Sequence, residues 1–329
     1  MKFASLIAKF GSAEAAAESL NLSDDFKDSI RREIGSLEAA GGFFIADSDD
    51  DFPKSLKHAY GCPPILSVIG NRAVFAKKMI SAVGTRHASA AGMNIMRAIA
   101  LRLAENDVAV VSGMAMGTDA AAHNGALAAP GDANTVAVLA GGADYIWPLE
   151  NEKLYHEIIS RGCVVSDMPF GFKPSAAHFA QRNRIVAALG EKLVLGESNE
   201  GSGSLITAAF AKDFGRRIFA IPSHPSDPRA AGPNRMIREG AASLCSGPDD
   251  FFPKLEFMCG IDNTKKADSG EKSELGNRIL DLLGSIPLSE SVIAEQTGKN
   301  IALIKKELVL LEISGLIEKT NGGFVIKPN

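Results

Sequence analysis

The sequence lacks the features that mark a secreted, disulfide-bonded or membrane-spanning protein. It has four cysteines in 329 residues and no CxxC pair, so we expect buried or incidental thiols rather than disulfides or a metal site. No hydrophobic run approaches the roughly 18 residues that cross a membrane. The N-terminus is too short and too mixed for a secretory signal. We therefore expect a cytoplasmic protein with no membrane partner.

The chain also lacks an excess of positive charge. Its formal net charge is -4, so no global basic field indicates non-specific binding to duplex DNA. Aromatic residues make up only 6% of the chain, while 46% of it is hydrophobic and 22% charged. The last two fractions are typical of a globular protein with a sizeable core. A chain of this length predicts two or three domains.

Signatures of catalysis are equally scarce. The sequence has no GxSxG elbow, no P-loop lysine and no complete GxGxxG motif. Its histidines are scattered and lack the spacing of metal ligands. Asp119 and His123 lie four residues apart on a predicted helix, an arrangement that is more often structural than catalytic. We expect no enzymatic activity, no cofactor and no metal.

Changes in composition divide the chain into four regions. Residues 1–50 are rich in Ala, Leu and Glu and predict a small helical domain. Residues 51–254 alternate between strand-like and helical patterns, and residues 255–273 form a polar linker. Residues 274–329 predict three helices and a β-hairpin with an Asn-Gly turn, which is a winged helix.

The third helix of this predicted winged helix would be the one that reads a DNA groove. It offers only Lys305 and Lys306 as basic residues, and Glu307 and Glu312 oppose them. We therefore expect a protein contact or a weak DNA contact rather than sequence-specific reading.

The region 51–254 predicts an α/β domain. Its apolar runs are nearly continuous, which is typical of parallel strands covered on both faces of a sheet. This pattern indicates a doubly wound, mostly parallel, Rossmann-like sheet, and such sheets bind ligands beyond the carboxyl ends of their strands. The predicted strands are Ile80–Val83, Val108–Val111, Val136–Leu139, Val164–Val165, Lys192–Leu195 and Ile218–Ile221.

The most informative stretch reads SAVGTRHAS and runs from Ser81 to Ser89. An apolar strand stops at Gly84, and a helical pattern opens near Ser89. Glycine lets the backbone approach a ligand, and free N–H groups and the helix dipole favour an anion. After Thr85, Arg86 adds a planar fork of donors that fits a phosphate. The stretch predicts a phosphate site, and a nucleic-acid backbone satisfies the same chemistry.

Other glycine- and hydroxyl-rich loops follow predicted strands and are expected at the same rim. One contains the Ser112-Gly113 turn and Gly117, and another contains Ser202, Gly203 and Ser204 with Thr207 one turn later. Several such loops at one edge of a sheet favour a polyanion site over ordinary tight turns.

The helical run after residue 181 opens with Arg182, Asn183 and Arg184. Consecutive side chains on a helix point in different directions. We therefore expect one arginine to bind ligand while the other makes an internal ion pair.

The motifs occur together in one order that resembles the DprA/Smf family of DNA-processing proteins. The similarity covers Asp51 to about Ala241. It implies binding of single-stranded DNA in the Rossmann-like domain, dimerisation and loading of RecA during natural transformation. The motifs are FPKSL, PPIL, VGTR, SGMAMGTDAAAH, LAGGADYIWP, FAQRNRI, EGSGSLITA and AAGPNRMIREGA.

Carried onto this chain, the resemblance places DNA contacts at Gly84 and Arg86, the Ser112-Gly113 turn, Arg182 with its neighbours, and the Ser202–Ser204 loop. Unstacked bases are often held on aromatic platforms, for which Phe179, Phe170 and Phe172 are the nearest candidates.

The chain departs from the family pattern at several positions. Trp147, Pro148 and Leu149 stand where the family often has Tyr-Pro-Lys, so a phosphate-contacting lysine is missing. Two alternative functions remain open. One is a nucleotide-processing hydrolase of a related Rossmann-like family, for which Glu197 is a candidate acid. The other is a winged-helix transcription regulator.

Overall fold

The computed structural model describes residues 15, 18–61, 63–252, 274–283, 287–313, 316–320 and 323–326. They form two compact units, one ending at residue 252 and the other beginning at residue 274. The linker predicted at residues 255–273 lies outside the described residues.

The first unit is built on a nine-stranded sheet with the order β1-β2-β6-β5-β4-β3-β7-β8-β9. The strands from β6 to β9 in this order are parallel, whereas β1 and β2 pair antiparallel at one edge. The strands are β1 Gly42–Ala46, β2 Ile65–Gly70, β3 Lys78–Val83, β4 Val108–Ser112, β5 Thr135–Val138, β6 Cys163–Ser166, β7 Lys192–Leu195, β8 Arg217–Ala220 and β9 Ser243–Leu244.

Helices cover both faces of this sheet, because neighbouring apolar residues of one strand point to opposite sides. Val111 and Leu195 join one core cluster, while Val110 and Val194 join another on the opposite face. This confirms the predicted doubly wound α/β class. The helices are α1 Asp24–Ala39, α2 Lys54–Lys57, α3 Ala90–Glu105, α4 Thr118–Ala128, α5 Glu152–Arg161, α6 Ala176–Leu189, α7 Gly203–Asp213 and α8 Ala231–Arg238.

The chain order of the strands creates a switch point at β3. From β3 the chain proceeds through β4 and β5 to β6 on one side, and it then returns to β7 on the other. Loops that leave β3 and β7 diverge to opposite faces, so a crevice forms beyond their carboxyl ends. The stretch around Arg86 therefore emerges at the place where such sheets bind ligands.

The strand β1 is a feature that the composition of residues 1–50 does not indicate. It carries the aromatic and β-branched residues Phe43, Phe44 and Ile45 and pairs with β2, with Phe44 opposite Ser67. Leu37 of α1 is buried in a core cluster shared with the sheet. The pairing ties the end of the predicted helical domain to the sheet, and a domain boundary at residue 50 stays a prediction.

The second unit has the elements of the predicted winged helix. Three helices, α9 Glu274–Leu282, α10 Glu290–Thr297 and α11 Ile301–Ile313, precede the hairpin formed by β10 Ile317–Thr320 and β11 Gly323–Ile326. Their apolar side chains form a separate core that includes Ile279, Ile293, Ile304 and Leu308. On α11, Lys305 forms an ion pair with Glu290 at 3.2 Å. Among the described helices of either unit, none is long and apolar enough to span a membrane.

Candidate functional site

A pocket of about 400 Å³ opens beyond the carboxyl end of β3, at the switch point of the sheet. The loop after β3, the first turn of α4 and the N-terminal halves of α6 and α7 form its walls. The structure therefore brings together most of the predicted site residues. Those that line the pocket are Gly84, Thr85, Arg86, Phe179, Arg182, Asn183, Ser202, Gly203, Ser204 and Thr207.

Backbone hydrogen bonds fix the loop that carries Arg86. The N–H of Thr85 donates to the carbonyl of Glu197 at 2.6 Å, and the Thr85 carbonyl accepts from the N–H and hydroxyl of Thr118 at 3.2 and 3.1 Å. Gly117 has a φ of 73°, and a Cβ there would lie 2.5 Å from the Thr85 carbonyl oxygen. The glycine at this position therefore allows the two loops to pack together, which revises the prediction that Gly117 brings its backbone to a ligand.

The guanidinium of Arg86 is exposed and lies over two aromatic rings that contact each other. Its Cζ atom is 4.8 Å from the centroid of the Trp147 ring and 5.6 Å from that of Phe179. The two rings are themselves 4.5 Å apart at an interplanar angle of 59°. Among the described residues, none accepts a hydrogen bond from this guanidinium or pairs with it. Its five N–H donors are therefore available to an anion.

Arg182, in contrast, is buried beneath the pocket with 6% of its surface exposed. Its Nη1 atom donates to the carbonyls of Gly113, at 2.7 Å, and Val138, and so links the carboxyl ends of β4 and β5. Burial lowers the pKa of Arg182 to about 10, and the charge of Arg86 acts in the same direction. Arg182 still carries its proton at neutral pH and adds positive potential to the pocket floor.

Asp119 partly balances the buried positive charge of Arg182. The carboxylate accepts a hydrogen bond from the Gly113 N–H at 3.2 Å. Burial raises the pKa of Asp119, against the opposing influence of Arg182 and of the backbone donors. Gly113 leaves room for the Arg182 guanidinium, which would lie 2.6 Å from a Cβ at that position. The Ser112-Gly113 turn thus organises buried charges beneath the pocket.

The helix N-terminus that follows the Arg86 loop is already occupied, which corrects the prediction of a phosphate there. Glu197 accepts hydrogen bonds from the Ser89 N–H at 2.7 Å and from the Ser89 hydroxyl at 2.5 Å. A Cβ at Gly92, in the first turn of α3, would lie 2.6 Å from the same carboxyl group. The carboxylate of Glu197 therefore occupies the anion position at the start of α3.

We expect Glu197→Gln to lower the free energy of unfolding by about 1–2 kcal/mol, because it removes a buried charge from a helix N-terminus. Denaturant unfolding measures this loss, and Glu200→Gln, an exposed position three residues along, is the matched control. The affinity for oligonucleotide should change little. A nucleotide hydrolysis activity that disappears with Glu197→Gln would instead support the hydrolase alternative.

The N-terminus of α7 is the one that faces the pocket. The hydroxyl of Ser198 lies 2.6 Å from that of Ser202 and 2.8 Å from that of Ser204, and the last two are 2.9 Å apart. The N–H groups of Gly203 and Ser204 donate to no acceptor in the described part of the chain. Asn183 donates to the Gly203 carbonyl at 3.1 Å and holds α6 against this turn. We expect these free donors to bind an anion, and we call residues 202–204 the anion-binding turn.

Besides Gly113 and Gly117, two further predicted contacts do not line the pocket. The hydroxyl of Ser112 is fully buried and donates to the Ala82 carbonyl at 2.6 Å. Arg184 forms an ion pair with the largely buried carboxylate of Asp167 at 2.5 Å. Arg184 is therefore the internal partner of the two arginines, and both residues serve the fold rather than the rim.

Asp119 and His123 do not pair on α4 as their spacing suggests. The Nδ1 atom of His123 is 2.7 Å from the hydroxyl of Thr135, and its Nε2 atom is buried without a partner in the described part of the chain. Burial lowers the pKa of His123 to about 3, and the charge of Arg182 contributes. The imidazole is therefore neutral in the folded protein.

This burial predicts a loss of stability in acid. Below its usual pKa of 6.5, His123 takes up a proton in the unfolded chain but not in the folded one. The resulting loss is about 2 kcal/mol as the pH falls from about 6.5 to about 5. Urea unfolding at several pH values measures it. His123→Gln should flatten this part of the profile, and an unchanged profile would contradict the assignment.

Trp147 is not among the site residues predicted from the sequence. Two features of the sequence could have indicated it: it is the only tryptophan of the chain, and it follows the Gly-Gly loop after β5. Of the other aromatic candidates, Phe172 packs against His178 with ring centroids 4.9 Å apart, and Phe170 packs against a core cluster. Phe179 lines the pocket, and Trp147 contacts the Phe179 ring and lines a small neighbouring cavity.

Comparison with known proteins identifies relatives over most of the chain. Residues 43–256 match the family model of DNA recombination-mediator protein A, and residues 263–323 match that of the DprA winged helix domain. The chain is 33% identical to the DNA processing protein DprA of Bacillus subtilis over 237 residues, which cover 72% of this chain and 79% of the relative. It is 36% identical to the Streptococcus pneumoniae protein over 209 residues, covering 64% and 73%.

Solved structures agree with these matches. The X-ray structure of DprA from Streptococcus pneumoniae superposes with a TM-score of 0.64 at 31% identity and covers 73% of this chain and 81% of that one. A structure of DNA processing protein A from Helicobacter pylori, described for its single-stranded DNA binding mode, has a TM-score of 0.58 at 25% identity and covers 63% and 93%. With its sheet, its winged-helix elements and these matches, the chain belongs to the DNA recombination-mediator protein A (DprA) family.

Proposed function

We propose that this chain binds single-stranded DNA in the pocket beyond β3. The observation that carries the proposal is the exposed guanidinium of Arg86, which has no hydrogen-bond or ion-pair partner among the described residues and lies beside the anion-binding turn. Phosphates of a polynucleotide match both groups, since Arg86 supplies a planar fork of donors and α7 supplies backbone N–H groups. The Helicobacter pylori relative, whose structure is described for its mode of binding single-stranded DNA, supports this assignment.

The aromatic rings beside Arg86 favour an unpaired strand over a duplex. Rings hold nucleic acid by stacking on base faces, which are covered in a duplex and open in a single strand. The net charge of -4 argues in the same direction, because a chain with net negative charge does not attract a duplex backbone through its overall field. A local cationic pocket with a ring surface fits a single strand.

Further parts of the proposed function rest on membership of a family of recombination mediators. We infer that the chain presents bound DNA to RecA during natural transformation, that it acts as a homodimer in the cytoplasm, and that it performs no catalytic turnover. The position of Glu197 supports the last inference, because its carboxylate is engaged in capping α3. Asp119, which also lines the pocket, is buried and accepts a hydrogen bond from the Gly113 N–H.

An anisotropy titration tests the DNA-binding proposal. A labelled oligo-dT and a duplex of the same length are compared at two salt concentrations. We expect tighter binding of the single strand and a marked loss of affinity at the higher salt, since each neutralised phosphate contributes about -0.7 to the slope of log K against log salt. Equal affinity for both DNAs, or no dependence on salt, would contradict the proposal.

A further inference from the structure

We propose that Trp147 is a nucleobase-stacking residue, so that the pocket holds a base beside the phosphate held by Arg86. This inference rests on the proposed binding of single-stranded DNA and names the part of the ligand that the aromatic pair recognises. Three observations carry it: the accessibility of the indole, the geometry of the ring pair and the position of Arg86.

The indole of Trp147 retains accessible surface in spite of its contact with Phe179. The residue is only half-buried. Its Nε1–H group donates to no acceptor in the described part of the chain, and it is not among the buried polar atoms that lack a partner. A tryptophan that serves only as core buries its ring and bonds its N–H group. Trp147 keeps part of its surface accessible and leaves its N–H group without an acceptor among the described residues, so both are accessible to a ligand.

The ring pair is supported from behind by the fold. Phe179 lies in the first turns of α6 and also lines the pocket, and its ring centroid is 4.5 Å from that of Trp147. Trp147 and Phe179 together line a second, small cavity, whose other walls include Tyr145 and Pro174. A stacking platform needs such support, because a ring that is already ordered loses little entropy when a base binds.

The position of Arg86 joins the base site to the phosphate site. Its guanidinium carbon is 4.8 Å from the Trp147 ring centroid, so a phosphate bonded to Arg86 lies close to the indole. A strand whose phosphate bonds Arg86 therefore brings its adjacent base to the indole. In single-strand binding sites, arginine adds cation–π contacts to the stacking of bases on aromatic rings.

The test uses the fluorescence of this single tryptophan. Unmodified protein is titrated with oligo-dT and with an abasic oligonucleotide of the same length, while anisotropy of a label on the DNA reports binding. We expect oligo-dT to quench the tryptophan emission on binding. The abasic strand should bind more weakly, through its phosphates, and leave the emission nearly unchanged.

Substitution at residue 147 then separates stacking from support of Arg86. Trp147→Ala should weaken binding of oligo-dT by roughly fivefold to a hundredfold and leave binding of the abasic strand unchanged, and Trp147→Phe should restore part of the loss. Leu149→Ala is the matched control, because Leu149 is an exposed apolar residue of the same segment.

Three outcomes would overturn the inference. They are binding of oligo-dT without quenching, an equal loss of affinity for both strands in Trp147→Ala, and no loss for either. Failure of the proposed function is distinguishable from all three, because neither strand would then bind the unmodified protein.

Discussion

Arg86→Ala should reduce the affinity for single-stranded DNA by about tenfold to a hundredfold at low salt, whatever the base sequence. The reason is that the substitution removes charge-assisted hydrogen bonds to phosphate, each worth about 1.5–3 kcal/mol. The slope of log K against log salt should fall in magnitude by about 0.7 for each phosphate that the variant no longer neutralises. Anisotropy titrations with oligo-dT at several salt concentrations measure both quantities.

The control for this experiment is Arg97→Ala. Arg97 is an exposed arginine on α3 whose side chain bonds Asn94 at 3.0 Å, and its removal changes the net charge of the protein by the same amount. Because Arg86 is exposed, neither variant should unfold more readily than the original protein. An oligo-dT affinity that is the same for Arg86→Ala and the unmodified chain would remove Arg86 from the site.

Arg182→Ala should lower the free energy of unfolding by about 3–5 kcal/mol, the usual cost of removing one member of a buried charge pair. The destabilisation has two sources. The carbonyls of Gly113 and Val138 are left without their shared donor, and the buried carboxylate of Asp119 is left without the positive charge that favours its ionised form. Denaturant unfolding followed by circular dichroism measures the change.

A double substitution separates these sources. In Arg182→Met with Asp119→Asn, no buried charge is left uncompensated, so part of the stability should return relative to Arg182→Met alone. DNA binding by the folded fraction of Arg182→Ala should fall less than binding by Arg86→Ala. A loss of stability below about 1 kcal/mol in Arg182→Ala would contradict the assignment of Arg182 as a buried organising residue.

Hydrophobic pattern predicts the sheet well, because buried parallel strands need nearly continuous apolar runs. The run at Lys192–Leu195 is a strand in the structure with the same bounds as in the prediction. The strand Gly42–Ala46 is missed because it is short and follows a long helical pattern. Its place at the edge of the sheet depends on pairing with Ile65–Gly70, which composition does not reveal.

The site is predicted in its location but only partly in its chemistry. Glycine- and hydroxyl-rich loops indicate the rim, and the parallel topology brings the loops together. Sequence does not show which helix N-terminus is open, since Glu197 reaches Ser89 across 108 positions of the chain. It also does not separate Arg86, which is exposed, from Arg182, which is buried, because neither local pattern shows which other elements cover the side chain.

Hydrogen exchange with mass spectrometry, with and without oligo-dT, tests the central claim most directly, because it locates bound DNA on the intact chain. DNA bound in the pocket should slow exchange in residues 84–87, 176–183 and 202–207, the segments that line it. Protection confined to residues 274–326, with these three segments unchanged, would place the DNA on the winged-helix unit and contradict the account.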